Sequence, residues 1–139
     1  MGGVVDTCVF VAAERRGLSF VQLLAKMAQE LPDQSLVASS ITAAELVQGI
    51  YQGEPIHSLK RKSFVRDIVD TLEIVPFSLE TAWIAGRIRG HQAAAGSMLP
   101  IADSLIAATA LELGYSIITQ NVKDFERIPE LKVLPFRLS

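Results

Sequence analysis

The chain has 139 residues, a length that suits one domain with a well-filled core, and residues 1–139 read as a single domain. A net charge of −2 excludes a polycation, so contact with a polyanion has to come from local basic patches. The one cysteine, Cys8, excludes an internal disulfide, while half of the residues are apolar and mean hydropathy is +0.34, a surplus that points to a partner or self-association surface.

The elements alternate in type along the chain. Gly3 to Asp6 is a short apolar run that predicts a strand, and TCVFVAAERR then starts a helix that Gly17 stops. Apolar residues at Phe20, Leu23, Leu24, Met27 and Leu31 have helical spacing, and Pro32 with Asp33 ends that segment. SLVASS predicts a second strand and TAAELVQGIYQG a helix. IHSLKRKSFVRDIVDTL is a more charged helix, and EIVPF a third strand. SLETAWIAGRIRGHQAAAG and IADSLIAATALELG follow as helices, YSIIT as a fourth strand and KVLPF as a fifth. Leu99 to Thr119 is apolar, but Asp103, Glu112 and Gly114 interrupt it, which suits a buried helix and strand better than a membrane span. The opening MGGVVDTCVF has no charged segment followed by a long apolar one, so a cytoplasmic location is expected. Continuous apolar strands separated by helices predict an α/β fold with a central parallel sheet covered on both faces. Such sheets carry their sites beyond the carboxyl ends of the strands.

Carboxylates stand at those ends. Asp6 and Thr7 follow the first strand, and Ser39, Ser40 and Thr42 follow the second, with Glu45 in the helix beyond. Asp103 opens a later helix, and Thr119, Asn121 and Asp124 follow the fourth strand. Each has an ordinary structural reading. Asp6 suits a helix N-cap. Thr42 to Glu45 spells a capping box, and Glu45 falls outside the stripe of Ala43, Leu46, Val47 and Ile50, which predicts a solvated side chain. Asp124 suits a turn, with Asn121 capping a short helix. Asp103 resists such a reading, because Asp103, Ile106, Ala107, Ala110 and Leu111 share one buried stripe. The helix dipole favours an acid in the first turn by roughly 0.3–1 kcal/mol, which does not offset burial without a cation or donors.

Carboxylates gathered on one rim repel and raise one another's pKa unless a divalent cation sits among them, and oxygen-only ligands select hard ions such as Mg²⁺ or Mn²⁺. No competing constellation is present. Cys8, His57 and His91 are too scattered for a zinc motif, so Cys8 reads as a small buried hydrophobe and the histidines as surface residues. GxSxG, GxGxxG and GxxxxGK[ST] are all missing.

Four stretches together resemble a known family. VVDTCVF, SSITAAELVQG, PIADSLIAATALELG and IITQNVKDF are similar, in order and over nearly the whole chain, to a PIN domain, and most to the VapC-type ribonuclease toxins of toxin–antitoxin pairs. The resemblance implies a three-layer α/β/α sandwich and metal-dependent endonucleolytic cleavage of RNA, with Mg²⁺ or Mn²⁺ as cofactor. It also implies neutralisation by a VapB-type antitoxin. By the same resemblance Asp6, Glu45, Asp103 and Asp124 correspond to the acidic metal site, with Thr7, Thr119 and Asn121 as polar supports. A catalytically silent PIN-like module that binds RNA or protein is the alternative, and an intact acid set counts against it. A dehalogenase-type phosphatase would want an acid at Cys8, and a phospho-receiver would want a phosphoacceptor in IVPFS.

Basic residues for an RNA backbone cluster in two places: Lys60, Arg61, Lys62 and Arg66, then Arg87 and Arg89. Asp67 and Asp70 stand at salt-bridge range of the first cluster, which also suits a solvated helix face. The apolar surplus predicts a homodimer and a groove for an amphipathic antitoxin helix, with Val47, Ile50, Tyr51 and Phe64 as candidate lining.

Overall fold

The computed structural model describes residues 1–138. Five parallel strands form its sheet in the order β3-β2-β1-β4-β5, where β1 is Gly2–Val5, β2 Ser35–Ser39, β3 Glu73–Val75, β4 Ser116–Thr119 and β5 Val133–Pro135. β1 sits at the centre and every one of its residues is buried. Register pairs Val4 with Val37 and Ile117, and Val5 with Ile118.

The helices are α1 Thr7–Arg15, α2 Phe20–Glu30, α3 Ser40–Gln52, α4 Ser58–Thr71, α5 Leu79–Ala95, α6 Ile101–Leu113 and the single turn α7 Val122–Phe125. Alternation along the strands decides which helices cover which face. Val5, Ala38 and Ile118 join a core with Phe10 of α1, Phe20, Leu23 and Met27 of α2, and Phe64, Val65 and Ile68 of α4. Val4, Val37 and Ile117 point the other way, into a core with Ala85 and Ile88 of α5 and Ile106, Ala107 and Ala110 of α6. This is the expected three-layer α/β/α sandwich. Gly114 lets α6 turn into β4 by adopting φ 68, a left-handed conformation that glycine takes without steric cost.

Several sequence expectations shift in register. α3 begins at Ser40, not Thr42; Ser39 accepts from the Ile41 N–H, so the expected Thr42–Glu45 capping box does not form. Its buried residues are Thr42, Leu46 and Ile50, while Val47 is exposed. The charged fourth helix is preceded by a separate 3-10 turn, Pro55–His57. Phe64 is not part of the cavity that Val47, Ile50 and Tyr51 line. Its ring meets Phe20 edge-on at 6.4 Å in the core, because the apolar face of α4 turns toward α2.

Candidate active site

Because β1 and β4 are parallel neighbours, the residues just past their carboxyl ends come together. Thr119 closes β4, and its hydroxyl donates to Asp6 Oδ2 at 2.8 Å across 113 positions of sequence. Cys8, one turn into α1, donates its thiol to the same oxygen at 3.1 Å. Asp6 occupies the N-cap position of α1 but makes no side-chain cap bond there. It is 2% exposed, so it is a carboxylate committed to the rim, held by two donors on one oxygen. Thr119 Oγ1 in turn accepts from the backbone N–H of Asn121 at 2.9 Å, which locks the hydroxyl's orientation toward Asp6.

Glu45 reaches the rim from α3. Thr7 donates to Glu45 Oε1 at 2.7 Å and lies 2.9 Å from Thr42 Oγ1. Its single proton is better spent on the charged acceptor, since hydrogen bonds to an ionised group are the stronger. Glu45 is therefore half-buried and oriented, where helical periodicity predicted a solvated side chain. Asp103 stands in the first turn of α6, and Asp124 on α7. Asn121 holds the N-cap position of α7 without a side-chain cap bond and is exposed.

The electrostatics show that these acids share one field. Burial pushes the Asp103 carboxyl up to about 6, and the charges of Asp6, Glu45 and Asp124 push in the same direction. Burial likewise raises Asp6, against the hydrogen bonds from Cys8 and Thr119. Burial and the neighbouring Asp6 charge push the Cys8 thiol up to about 12, so Cys8 is a neutral donor and not a thiolate. Among the described residues no three His, Cys, Asp or Glu side chains stand close enough to share one ion. The acids lie within electrostatic reach of one another, with three of the four only partly buried. All their donors are carboxylate oxygens, the donor type that hard ions select, and their mutual repulsion is what a divalent cation would remove.

Two contacts were not legible in the sequence. Arg127 Nη2 lies 3.5 Å from Asp124 Oδ1, the one ion pair that any of the four acids makes among the described residues. Its signal is the i, i+3 spacing from Asp124. Cys8 was expected to be an inert hydrophobe; its place beside Asp6 follows from the first turn of α1 folding back over the end of β1. Of the basic residues, Lys60, Lys62, Arg66 and Arg87 are exposed. Arg61 lies 3.8 Å from Glu14 and shares a cavity wall with Glu45. Asp67 and Asp70, expected to pair with this cluster, make no ion pair among the described residues. Arg89 is employed structurally, donating to the Leu99 carbonyl at 2.7 Å and to Ser104 Oγ at 3.1 Å. It thereby ties α5 to the start of α6, the turn that carries Asp103.

Comparison with known proteins follows the same outline. The PIN domain family model matches residues 3–131. A Ribonuclease VapC of Rickettsia bellii is 33% identical over 135 residues, covering 96% of each chain. A tRNA(fMet)-specific endonuclease VapC of Salmonella typhimurium is 30% identical over 95 residues, 68% of this chain and 70% of its own. Among solved structures, VapBC2 of Rickettsia felis bound to a DNA fragment from its promoter superposes with a TM-score of 0.84 at 25% identity, covering 99% of this chain and 100% of the other.

Proposed function

The chain belongs to the PIN-domain family, within its VapC ribonucleases, and from that premise we propose a metal-dependent endoribonuclease toxin held silent by a small cognate antitoxin. The observation that supports this most is Asp103, whose carboxyl is raised to about 6 by its burial and, beyond that, by the charges of Asp6, Glu45 and Asp124. Nucleases of this family depend on metal in general; here the oxygen-only donors favour Mg²⁺ or Mn²⁺. When bound, such an ion supplies activation of water and neutralisation of charge on the phosphoryl oxygens. The chain's own residues do the rest. Asp6 is the fixed ligand, oriented by Thr119 and Cys8. Glu45 is aimed by Thr7, and Asp103 and Asp124 complete the set. Asp124 would join them from α7, where its half-exposed ion pair with Arg127 is weak.

Cleavage of a structured RNA, with Mg²⁺ or Mn²⁺ and again with EDTA, tests this reading. Fragments form only with metal, and either ion raises the melting temperature through binding to the native state. No cleavage and no thermal shift would leave the silent RNA- or protein-binding module in its place. Release of phosphate from a small monoester without RNA cleavage would leave the phosphatase.

Thr119 is a positioning residue. Thr119→Val keeps the shape but removes the O–H that holds Asp6, so the concentration of Mn²⁺ giving half the thermal shift rises by about 10–100-fold. The metal-free protein still melts cooperatively. An unchanged Mn²⁺ midpoint would show that Asp6 needs no such support.

The antitoxin reading is supported by the α3–α4 face. Val47, Tyr51 and Val69 are exposed there, around a cavity floored by Ile50 and Val65. Such a face takes an amphipathic helix, and a basic side chain beyond that helix could enter the acidic rim. Exposed Leu79 and Trp83 on α5 offer a second apolar surface, which suits the homodimer. Among the described residues no helix is long and apolar enough to cross a membrane. Co-expression with the neighbouring small gene product, followed by light scattering, checks both assemblies. A chain that stays monomeric and keeps full nuclease activity beside that product would remove the toxin–antitoxin part and leave a bare nuclease.

A further inference from the structure

A cavity of about 470 Å³ lies between α5, the end of α6 and the segment after α7. It is separate from the acids, yet Arg127 touches both: the residue paired with Asp124 also lines this cavity. Gln92 forms part of the wall and is 7% exposed. Its Oε1 accepts from the backbone N–H of Leu99 at 3.3 Å, which decides which end of the amide is oxygen. The Nε2 end is buried and has no partner. A buried amide donor left unpaired is unfavourable, and a small turn of the Gln92 side chain toward the cavity it lines would let an acceptor seated there remove that cost.

The rest of the lining says what kind of acceptor fits. Arg87, His91 and Arg127 supply donors, and Glu130 is the single acid of the wall. Ile88, Leu111 and Ile128 supply an apolar floor. Positive charge at the mouth, an amide donor in the wall and an apolar surface between them match one nucleotide, with an anionic phosphate and a flat base carrying acceptors. Glu130 is also the one residue other than glycine with a left-handed backbone among those described, at φ 71.

We propose that this cavity binds one nucleotide of the RNA strand, its phosphate against Arg87 and Arg127 and its base against Gln92. The inference rests on the ribonuclease reading and extends it, since it adds a subsite away from the acidic rim. Arg127 links the two, since it pairs with Asp124 and also lines this cavity.

The test separates binding from cleavage. Metal-free protein in EDTA is titrated calorimetrically with each of the four ribonucleoside 5′-monophosphates and with inorganic phosphate. At least one nucleotide binds saturably, and more tightly than phosphate alone. Arg87→Glu, a change on an exposed side chain, weakens that binding by about tenfold or more, as reversal of a close charge requires. Gln92→Glu keeps the acceptor for Leu99 while removing the donor, and shifts the preference among the four bases. No saturable nucleotide binding, or equal affinity in Arg87→Glu, would overturn the proposal even if metal-dependent RNA cleavage is intact. Phosphate binding as tightly as every nucleotide would overturn it too, by reducing the cavity to a plain anion site. If cleavage fails while nucleotides bind here, the catalytic reading fails and this site stands.

Discussion

Asp103→Asn is expected to lower metal-dependent RNA cleavage by on the order of 10³-fold and, in the same molecule, to make the metal-free protein more stable. The loss follows from removing one anionic oxygen ligand from a site whose donors are all carboxylates. The gain follows from electrostatics. The Asp103 carboxyl is pushed up to about 6 by burial and by the charges of Asp6, Glu45 and Asp124. Its pKa in the unfolded chain is near the ordinary 3.8, so between these values the folded state holds a proton that the unfolded state has lost. Stability of the metal-free protein is therefore greatest below the lower value, falls as pH rises through the window, and levels off above about 6. With solvent screening of a partly exposed group, the loss is about 1–2 kcal/mol. Asparagine cannot ionise, so Asp103→Asn retains this stability at neutral pH. Asp6 is raised in the same direction, so part of the slope survives in the variant. Urea unfolding in EDTA from about pH 4 to about pH 8, alongside RNA cleavage with Mn²⁺, measures both effects. Wild-type cleavage by the variant would remove Asp103 from the site. A variant less stable than wild type at neutral pH would show that Asp103 has a stabilising partner in the fold.

Phe20→Ala is expected to cost about 3–5 kcal/mol, a large share of the ~5–15 kcal/mol that a domain of this size has in total. Phe20 is the first residue of α2, entered through a reciprocal cap between Ser19 and Gln22. Its ring lies 6.5 Å from Phe10 on α1 and 6.4 Å from Phe64 on α4, the latter at 89°. One side chain thus joins the three helices of that layer, and its removal leaves a cavity that three anchored backbones cannot collapse to fill. The melting temperature falls by about 10 °C or more. Phe20→Leu, which conserves most of the volume, costs less than about 1.5 kcal/mol. The comparison also bears on α4, whose exposed face carries Lys60, Lys62 and Arg66. A loss of less than 1 kcal/mol in Phe20→Ala, read by thermal unfolding against a scale of about 1 kcal/mol for an average substitution, would show a loosely packed layer.

The sequence by itself determined the layers and the rim. The runs Gly3 to Val5 and Ile117 to Ile118 carry no polar side chain, which suits strands buried on both sides, and the helices between such strands let them run parallel. Parallel strands end on one edge, which is why the pattern alone directs Asp6, Asp103 and Asp124 toward one rim. The short α7 was foreseen only as one reading of Asn121, because a single helical turn has almost no periodicity to detect. Only the tertiary structure decided the partners. Periodicity reports which side of an element faces inward, and it is silent on what waits there. Glu45 was off the apolar stripe of its helix, yet it is held by Thr7, which reaches it across 38 positions from the end of a different strand. The start of α3 went to Ser39 rather than Thr42, since the hydroxyl of Thr42 is buried against Thr7 and cannot also serve as a solvent-facing cap. Phe64 could face a groove or the core with the same spacing, and the ring of Phe20 settled it. Cys8 became a donor to Asp6, and Arg127 the link between Asp124 and the second cavity, through contacts that pattern cannot encode. Burial is a property of one residue and its period, whereas a hydrogen bond or an ion pair is a property of two residues that the fold must first bring together.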